Sequence, residues 1–188
     1  MTVSNVSDEI YIRQFMAGYG HLLFEPELKG KIESFLRSFS QGLDALISGL
    51  LTELRTVTES DAATIYVVDK NMLRFAYVQN ETIANKSGQG DKKGLDGYVG
   101  RTIPIEDGSL CGYVAKTKRP ILIGNARDID PSMPFRYNDA YDREMGYATI
   151  SVLTAPIVDD AGELAGVLQL LNHKDENGTP EPYKDWML

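Results

Sequence analysis

The chain has 188 residues, enough for one domain with a sizeable core and some extra helix, and a formal net charge of -8 from 19 basic and 27 acidic residues. That balance excludes a general nucleic-acid-binding surface, which needs Lys and Arg to neutralise phosphates. Hydrophobic residues at 43% and charged residues at 24% give the profile of a globular protein. The single cysteine, Cys111, excludes an internal disulfide and a thiolate zinc cluster, and makes a reducing compartment, the cytoplasm, the simplest expectation. No uninterrupted apolar run is long enough to cross a bilayer, so membrane insertion is not expected. The opening MTVSNVSDEIYIR lacks a basic region followed by an apolar core, so no signal peptide is predicted.

Asp8 to Phe24 has apolar residues near helical spacing at Ile10, Phe15, Tyr19 and Leu22, weakened by Gly18 and Gly20. Pro26, flanked by Glu25 and Glu27, suits the first turn of a second helix. The next segment is strongly periodic. Ile32, Leu36, Phe39, Leu43, Leu46 and Leu50 recur at alternating four and three, and Phe35, Ile47, Leu51 and Leu54 form a second stripe. A stripe this wide reads either as one long core helix or as a helix with a free face for a dimer partner.

Ala63 to Val68 and Leu73 to Gln79 read as paired strands around Asp69-Lys70-Asn71. From Asn80 to Arg101 the chain turns polar and Gly-rich, the expected place for a flexible lid. Thr102 to Ile105 is a short strand. Ser109 offers the N-cap of a helix running to Lys116, Pro120 stops it, and Ile121 to Ile123 is a strand. Asn125 to Pro134 is a loop and Arg136 to Met145 a short helix. Finally Ile150 to Val158 and Leu164 to Asn172 flank Asp159-Asp160-Ala161-Gly162-Glu163, a strong hairpin signal. Both strands are apolar on both faces, so both faces are expected to be covered. Thr149, Ser151, Thr154, Gln169 and Asn172 interrupt these runs and need partners, from the protein or a ligand. This order argues an α+β fold with a mainly antiparallel sheet.

Few residues suggest chemistry. The helix start at Ser109, Leu110 and Cys111 presents free N–H groups and the positive dipole end. It is either an anion site or simply a capped helix. Asp139, Asp142 and Glu144, with Asp128 and Asp130, lack calcium-loop spacing and read as a solvated acidic face. His21 and His173 fall on different elements and cannot supply a metal site without carboxylates, so structural or surface roles are expected of them. Cys111 has no adjoining histidine and is expected to pack as a small apolar group.

GYATISVLTAPIVDDAGELAGVLQLLN (Gly146 to Asn172) resembles the closing hairpin of a GAF domain, a small-molecule sensor module. SDAATIYVVD (Ser60 to Asp69) resembles its first strand, and GSLCGYVAKTKRPILIGNARDID (Gly108 to Asp130) its middle. The resemblance runs from about Leu43 to Tyr183 and implies a GAF/PAS-like α+β fold: a central antiparallel sheet flanked by helices. Residues 1–42 would form an N-terminal helical extension and a homodimer helix. Residues 43–188 would be the sensor domain of a larger signalling protein, its last helix cut short at 184–188.

Within the family, the series Asp142, Gly146, Tyr147, Thr149, Pro156, Ile157, Gln169, Leu170 and Asn172 resembles the pattern of cyclic-nucleotide-binding members. By that likeness Asp142, Tyr147, Thr149, Gln169 and Asn172 belong to the ligand site. Thr149 and Gln169 would point into one cavity, and Leu110 and Cys111 would offer backbone groups to a phosphate. The implied ligand is a small anion, a cyclic nucleotide first. The chain departs from the pattern at His173, where Lys is expected, and at Tyr183, where Phe is expected. Bilin-binding relatives carry Cys-His where this chain has Cys111-Gly112. The competing readings are a ligand-free dimerisation module and a GAF-type methionine sulfoxide reductase, a family that needs several cysteines.

Overall fold

A computed structural model describes residues 43–87 and 97–183. The helices expected before residue 43, with the dimer stripe at Ile32 to Phe39, lie outside the described residues, as does the expected start of a final helix at 184–188. No helix among the described residues is long and apolar enough to cross a membrane.

The chain opens with α1 (Leu43–Val57), then β1 (Ser60–Asp69) and β2 (Met72–Asn80). Lys70, at φ 58°, turns the β1–β2 hairpin. Next come α2 (Glu81–Ser87), β3 (Thr102–Pro104), β4 (Gly108–Ser109), α3 (Leu110–Thr117) and β5 (Ile121–Ile123). The chain ends with β6 (Phe135–Arg136), α4 (Ala140–Met145), β7 (Val152–Val158), β8 (Leu164–Lys174) and β9 (Pro180–Glu181). Seven strands form one sheet in the order β3-β2-β1-β8-β7-β5, with β9 on β8, and every pairing in it is antiparallel. β4 and β6 form a separate two-residue parallel pair.

The two-residue period of the strands sorts the core into two layers. Ala63 and Ile65 of β1, Leu168 and Leu170 of β8, and Leu153, Ala155 and Ile157 of β7 pack with Leu50, Leu51 and Leu54 of α1. Leu46 and Leu50 of one stripe and Leu51 and Leu54 of the other are buried, with Ile47 partly so, and there α1 is a core helix. On the opposite face, Tyr66 of β1 and Val167 of β8 pack with Leu73 and Phe75 of β2 and with Cys111, Val114 and Ala115 of α3. Burying both faces explains why β7 and β8 lack polar alternation.

Two expectations need correction. The stretch after Asn80 is not loop throughout. Asn80 Oδ1 accepts the Ile83 amide at 2.9 Å, and this cap starts α2. The helix expected from Arg136 begins only at Ala140. Phe135 is 1% exposed and pairs with Gly108, which draws 135–136 into a strand first. Asn138 Oδ1 then accepts the Ala140 amide at 3.0 Å, and Gly146 at φ 58° ends the helix.

Candidate functional site

The sheet face opposite α1 carries a cavity of about 130 Å³. Register sets its floor. Thr64, Gln169 and Thr154 stand abreast on β1, β8 and β7. Gln169 Nε2 donates to Thr154 Oγ1 at 3.2 Å, and its Oε1 accepts from the Tyr66 hydroxyl at 3.1 Å. The floor is thus a fixed amide with donor and acceptor capacity to spare. Aromatic rings form the walls. Phe75 lies 4.6 Å from Tyr66, 6.2 Å from Tyr98 and 5.6 Å from Tyr141, centroid to centroid, and Tyr98 lies 5.3 Å from Tyr141.

Six of the eight residues singled out from sequence line this cavity: Ser109, Leu110, Cys111, Asp142, Tyr147 and Gln169. Ser109 Oγ accepts the Gly112 amide at 3.0 Å, so α3 begins at the cavity wall with its amides toward that end. Burial pushes the Cys111 thiol up to about 12, although the Tyr66 hydroxyl beside it works the other way. Cys111 therefore sits there as a neutral thiol. Burial, followed by the nearby thiol, likewise holds the Tyr66 phenol well above its ordinary value.

Thr149 and Asn172 are outside the lining, which corrects the expectation that Thr149 and Gln169 share the cavity. Thr149 precedes β7, in the segment 147–151 between α4 and that strand, and is fully buried. Its amide donates to Asp142 Oδ2 at 2.8 Å and its hydroxyl to Asp142 Oδ1 at 3.0 Å. It orients the carboxylate rather than facing the cavity. Asn172 is a clamp on the same segment. Its Oδ1 accepts the amides of Ile150 and Ser151 at 2.7 and 3.3 Å. Its Nδ2 donates to the Tyr147 hydroxyl at 2.9 Å and the Ala148 carbonyl at 2.8 Å. All of this polar capacity serves the fold, at a left-handed φ of 57°.

The Tyr147 hydroxyl also donates to Asp61 Oδ2 at 2.8 Å. Asp61, 1% exposed, accepts from Thr82 Oγ1 at 2.9 Å and pairs with the Lys174 ammonium. Burial first, and then the Asp61 carboxylate, hold the Tyr147 phenol far above its ordinary range, so it stays a donor. Sequence reading missed Asp61, and missed Thr64, Tyr66, Phe75, Tyr98 and Tyr141 in the wall. A carboxylate in the body of an apolar strand was the available signal for Asp61. Alternation through Ala62, Thr64 and Tyr66 was the one for β1.

The expected structural role for histidine fits His173. Its ring is fully buried, stacks on Tyr183 at 5.5 Å and directs Nδ1 to the Thr58 carbonyl at 2.9 Å. That carbonyl can only accept, so Nδ1 carries the proton. No group of three or more His, Cys, Asp or Glu side chains suited to a metal ion occurs among the described residues.

The family model for the GAF domain matches residues 42–187. Among solved structures, the GAF domain of an Acinetobacter phosphoenolpyruvate-protein phosphotransferase superposes with a TM-score of 0.55 at 15% identity. The match covers 82% of this chain and 78% of that one. The A. aeolicus nlh2 GAF domain, in an inactive state, gives 0.54 at 18% identity over 79% and 78%. A free methionine-R-sulfoxide reductase from Neisseria meningitidis, in complex with its substrate, gives 0.54 at 16% over 84% and 75%. Identities this low speak for the fold alone. With the family model covering most of its length and the sheet and helices just described, this chain belongs to the GAF domain family.

Proposed function

We propose that this chain is the ligand-sensing module of a cytoplasmic signalling protein and that the cavity on the β1–β8–β7 face is its ligand site. GAF domains are typically sensor or regulatory modules in signalling proteins. One observation carries the assignment of the site: a cavity walled by aromatic rings holds a fixed amide, Gln169, and a buried carboxylate, Asp142. Apolar walls with a few oriented polar groups are the usual make-up of a small-molecule site. The test is a thermal-shift screen. A ligand at a hundred times its dissociation constant adds about 2.7 kcal/mol, or roughly 5–10 °C for a domain of this size. No shift from any small molecule, with no amide of the cavity floor perturbed by NMR, would remove the reading.

The nucleotide reading has support of its own. Arg136 pairs in register with Ser109 and both line the cavity, so a basic residue stands beside the start of α3, the end that favours a phosphate. Its difficulty is size. About 130 Å³ is well below the ~300–1,000 Å³ of sites for drug-sized ligands, so a nucleotide would have to widen the cavity. The screen therefore includes adenosine and guanosine cyclic nucleotides beside single-ring compounds. The reductase reading needs a reactive thiolate, and Cys111, buried and held as a thiol, argues against it. Homodimerisation rests on Ile32, Phe35, Leu36 and Phe39, and light scattering at micromolar concentration tests it. A monomer there would remove it.

A further inference from the structure

We propose that the cavity selects a small organic cation, an amine or amidine carried on a single ring or its aliphatic equivalent, over an anion of the same shape. The inference rests on the reading of the cavity as the ligand site and goes against the charge expected from sequence.

Three observations carry it. The first is the imbalance of buried charge. Asp142 lines the cavity at 5% exposure. Its carboxylate takes two hydrogen bonds from Thr149, and the Tyr137 hydroxyl lies within reach of it. No cation among the described residues forms an ion pair with it. A carboxylate offers about four lone-pair sites, so acceptor capacity remains. Buried charges are ordinarily paired. Among the described lining residues the positive charge is Arg136. That side chain is exposed, and its guanidinium donates to the carbonyls of Met133, Phe135 and Pro131. A charge in water is screened, whereas one inside the protein acts through a lower dielectric, so Asp142 dominates the interior.

The second observation is the wall. Tyr66, Phe75, Tyr98 and Tyr141 form one connected cluster of rings in the lining, in which Phe75 lies within 6.2 Å of each of the other three. The face of an aromatic ring attracts a cation and repels an anion through the ring quadrupole. The molecule shows this preference itself. Arg101, which is not part of the lining, stacks its guanidinium 4.7 Å from the Tyr98 centroid and 5.6 Å from that of Tyr141. The third observation is size. A cavity of about 130 Å³ suits one ring, since an apolar cavity of roughly 150 Å³ accepts benzene.

The experiment uses three probes built on one phenyl ring, with the full chain at pH 7: benzylammonium, benzyl alcohol and benzoate. Amide shifts of Thr64 and Gln169 report occupancy of the cavity, and titration gives the affinities. The expected order is benzylammonium, then benzyl alcohol, then benzoate, with at least about tenfold between cation and anion. Asp142→Asn should weaken benzylammonium by about tenfold to a hundredfold and leave benzyl alcohol within about threefold. Because Asp142 also holds Thr149, Tyr141→Leu provides a second variant. It keeps the carboxylate and should weaken benzylammonium severalfold more than benzyl alcohol. Benzoate binding as tightly as benzylammonium, or equal losses for cation and alcohol in a folded variant, would overturn the inference and leave the cavity standing as a ligand site. If none of the three probes moves the Thr64 and Gln169 amides, the ligand-site reading fails and the inference falls with it.

Discussion

Replacing Tyr147 by Phe isolates one oxygen on which three elements converge. The ring stays, so packing in the core beneath α3 is kept and no void forms. What goes is a hydroxyl that donates to Asp61 at 2.8 Å and accepts from Asn172 at 2.9 Å. Both partners are buried, at 1% and 3% exposure. Asp61 retains Thr82 and the Lys174 ammonium, so its charge stays compensated while it loses one charge-assisted bond. Asn172 retains the Ala148 carbonyl but leaves one N–H without an acceptor. A hydrogen bond to a charged group is worth about 1.5–3 kcal/mol and the neutral bond about 1, so the combined cost is about 2–4 kcal/mol. Urea unfolding should show that loss through the midpoint with the slope unchanged, since the surface exposed on unfolding is the same. Pairing the change with Asp61→Asn should give a coupling of at least about 1 kcal/mol. A loss below about 0.5 kcal/mol would refute the reasoning, because the hydroxyl would then not be holding the 147–151 segment to β1 and β8.

Further outcomes follow from the same geometry. A Cβ at Gly166 would sit 2.2 Å from the Tyr66 carbonyl oxygen, a backbone atom in the central pair of strands, so Gly166→Ala should cost about 3 kcal/mol or more in urea unfolding. Cys111 is raised from 9.0 to about 12, so its share of stability is complete below pH 9 and is lost as pH rises towards 12. The loss between pH 9 and 10 is about 1 kcal/mol, and Cys111→Ala should flatten the stability profile over that interval by about that amount. The same thiol should react with a disulfide reagent only at the rate of unfolding; immediate labelling of folded protein would contradict its burial. Lys174→Met strips the buried Asp61 of its cation and should cost about 3–5 kcal/mol, much of it recovered by adding Asp61→Asn.

The fold was legible because its signals are local and repeated. The β7–β8 hairpin is written in aliphatic runs around Asp159, whose side chain accepts the amides of Ala161 and Glu163 at 2.9 and 2.8 Å. The cap at Ser109 was legible for the same reason. The Asn80 cap obeys the same rule, but the glycines downstream suggested loop for the whole stretch. The site was legible only in part, and the errors share a cause. Thr149, Gln169 and Asn172 look alike in sequence, each a polar interruption of an apolar run, yet they do different work. Gln169 faces the cavity because β8 places it between Thr64 and Thr154. Thr149 serves Asp142 because the chain after Gly146 has not yet entered β7. Asn172 faces back along the chain because its φ of 57° turns its backbone out of the strand conformation.

The charge of the site was the least legible feature, for a reason that extends beyond this chain. Sequence shows that a helix starts at Ser109 and that acids cluster at 139–144, but not which of these opposite fields is buried. Burial decides, because charges in water are screened and charges inside are not. Asp139 and Glu144 are exposed and spend their charge on Arg143 and Arg101. Asp142, three residues from one and two from the other, is turned inward by its place in the first turn of α4 and held there by Thr149. The same acidic run therefore supplies a solvated surface and one interior carboxylate. The field inside the cavity is set by that inward residue, while the net charge of -8 acts mainly through the solvent outside.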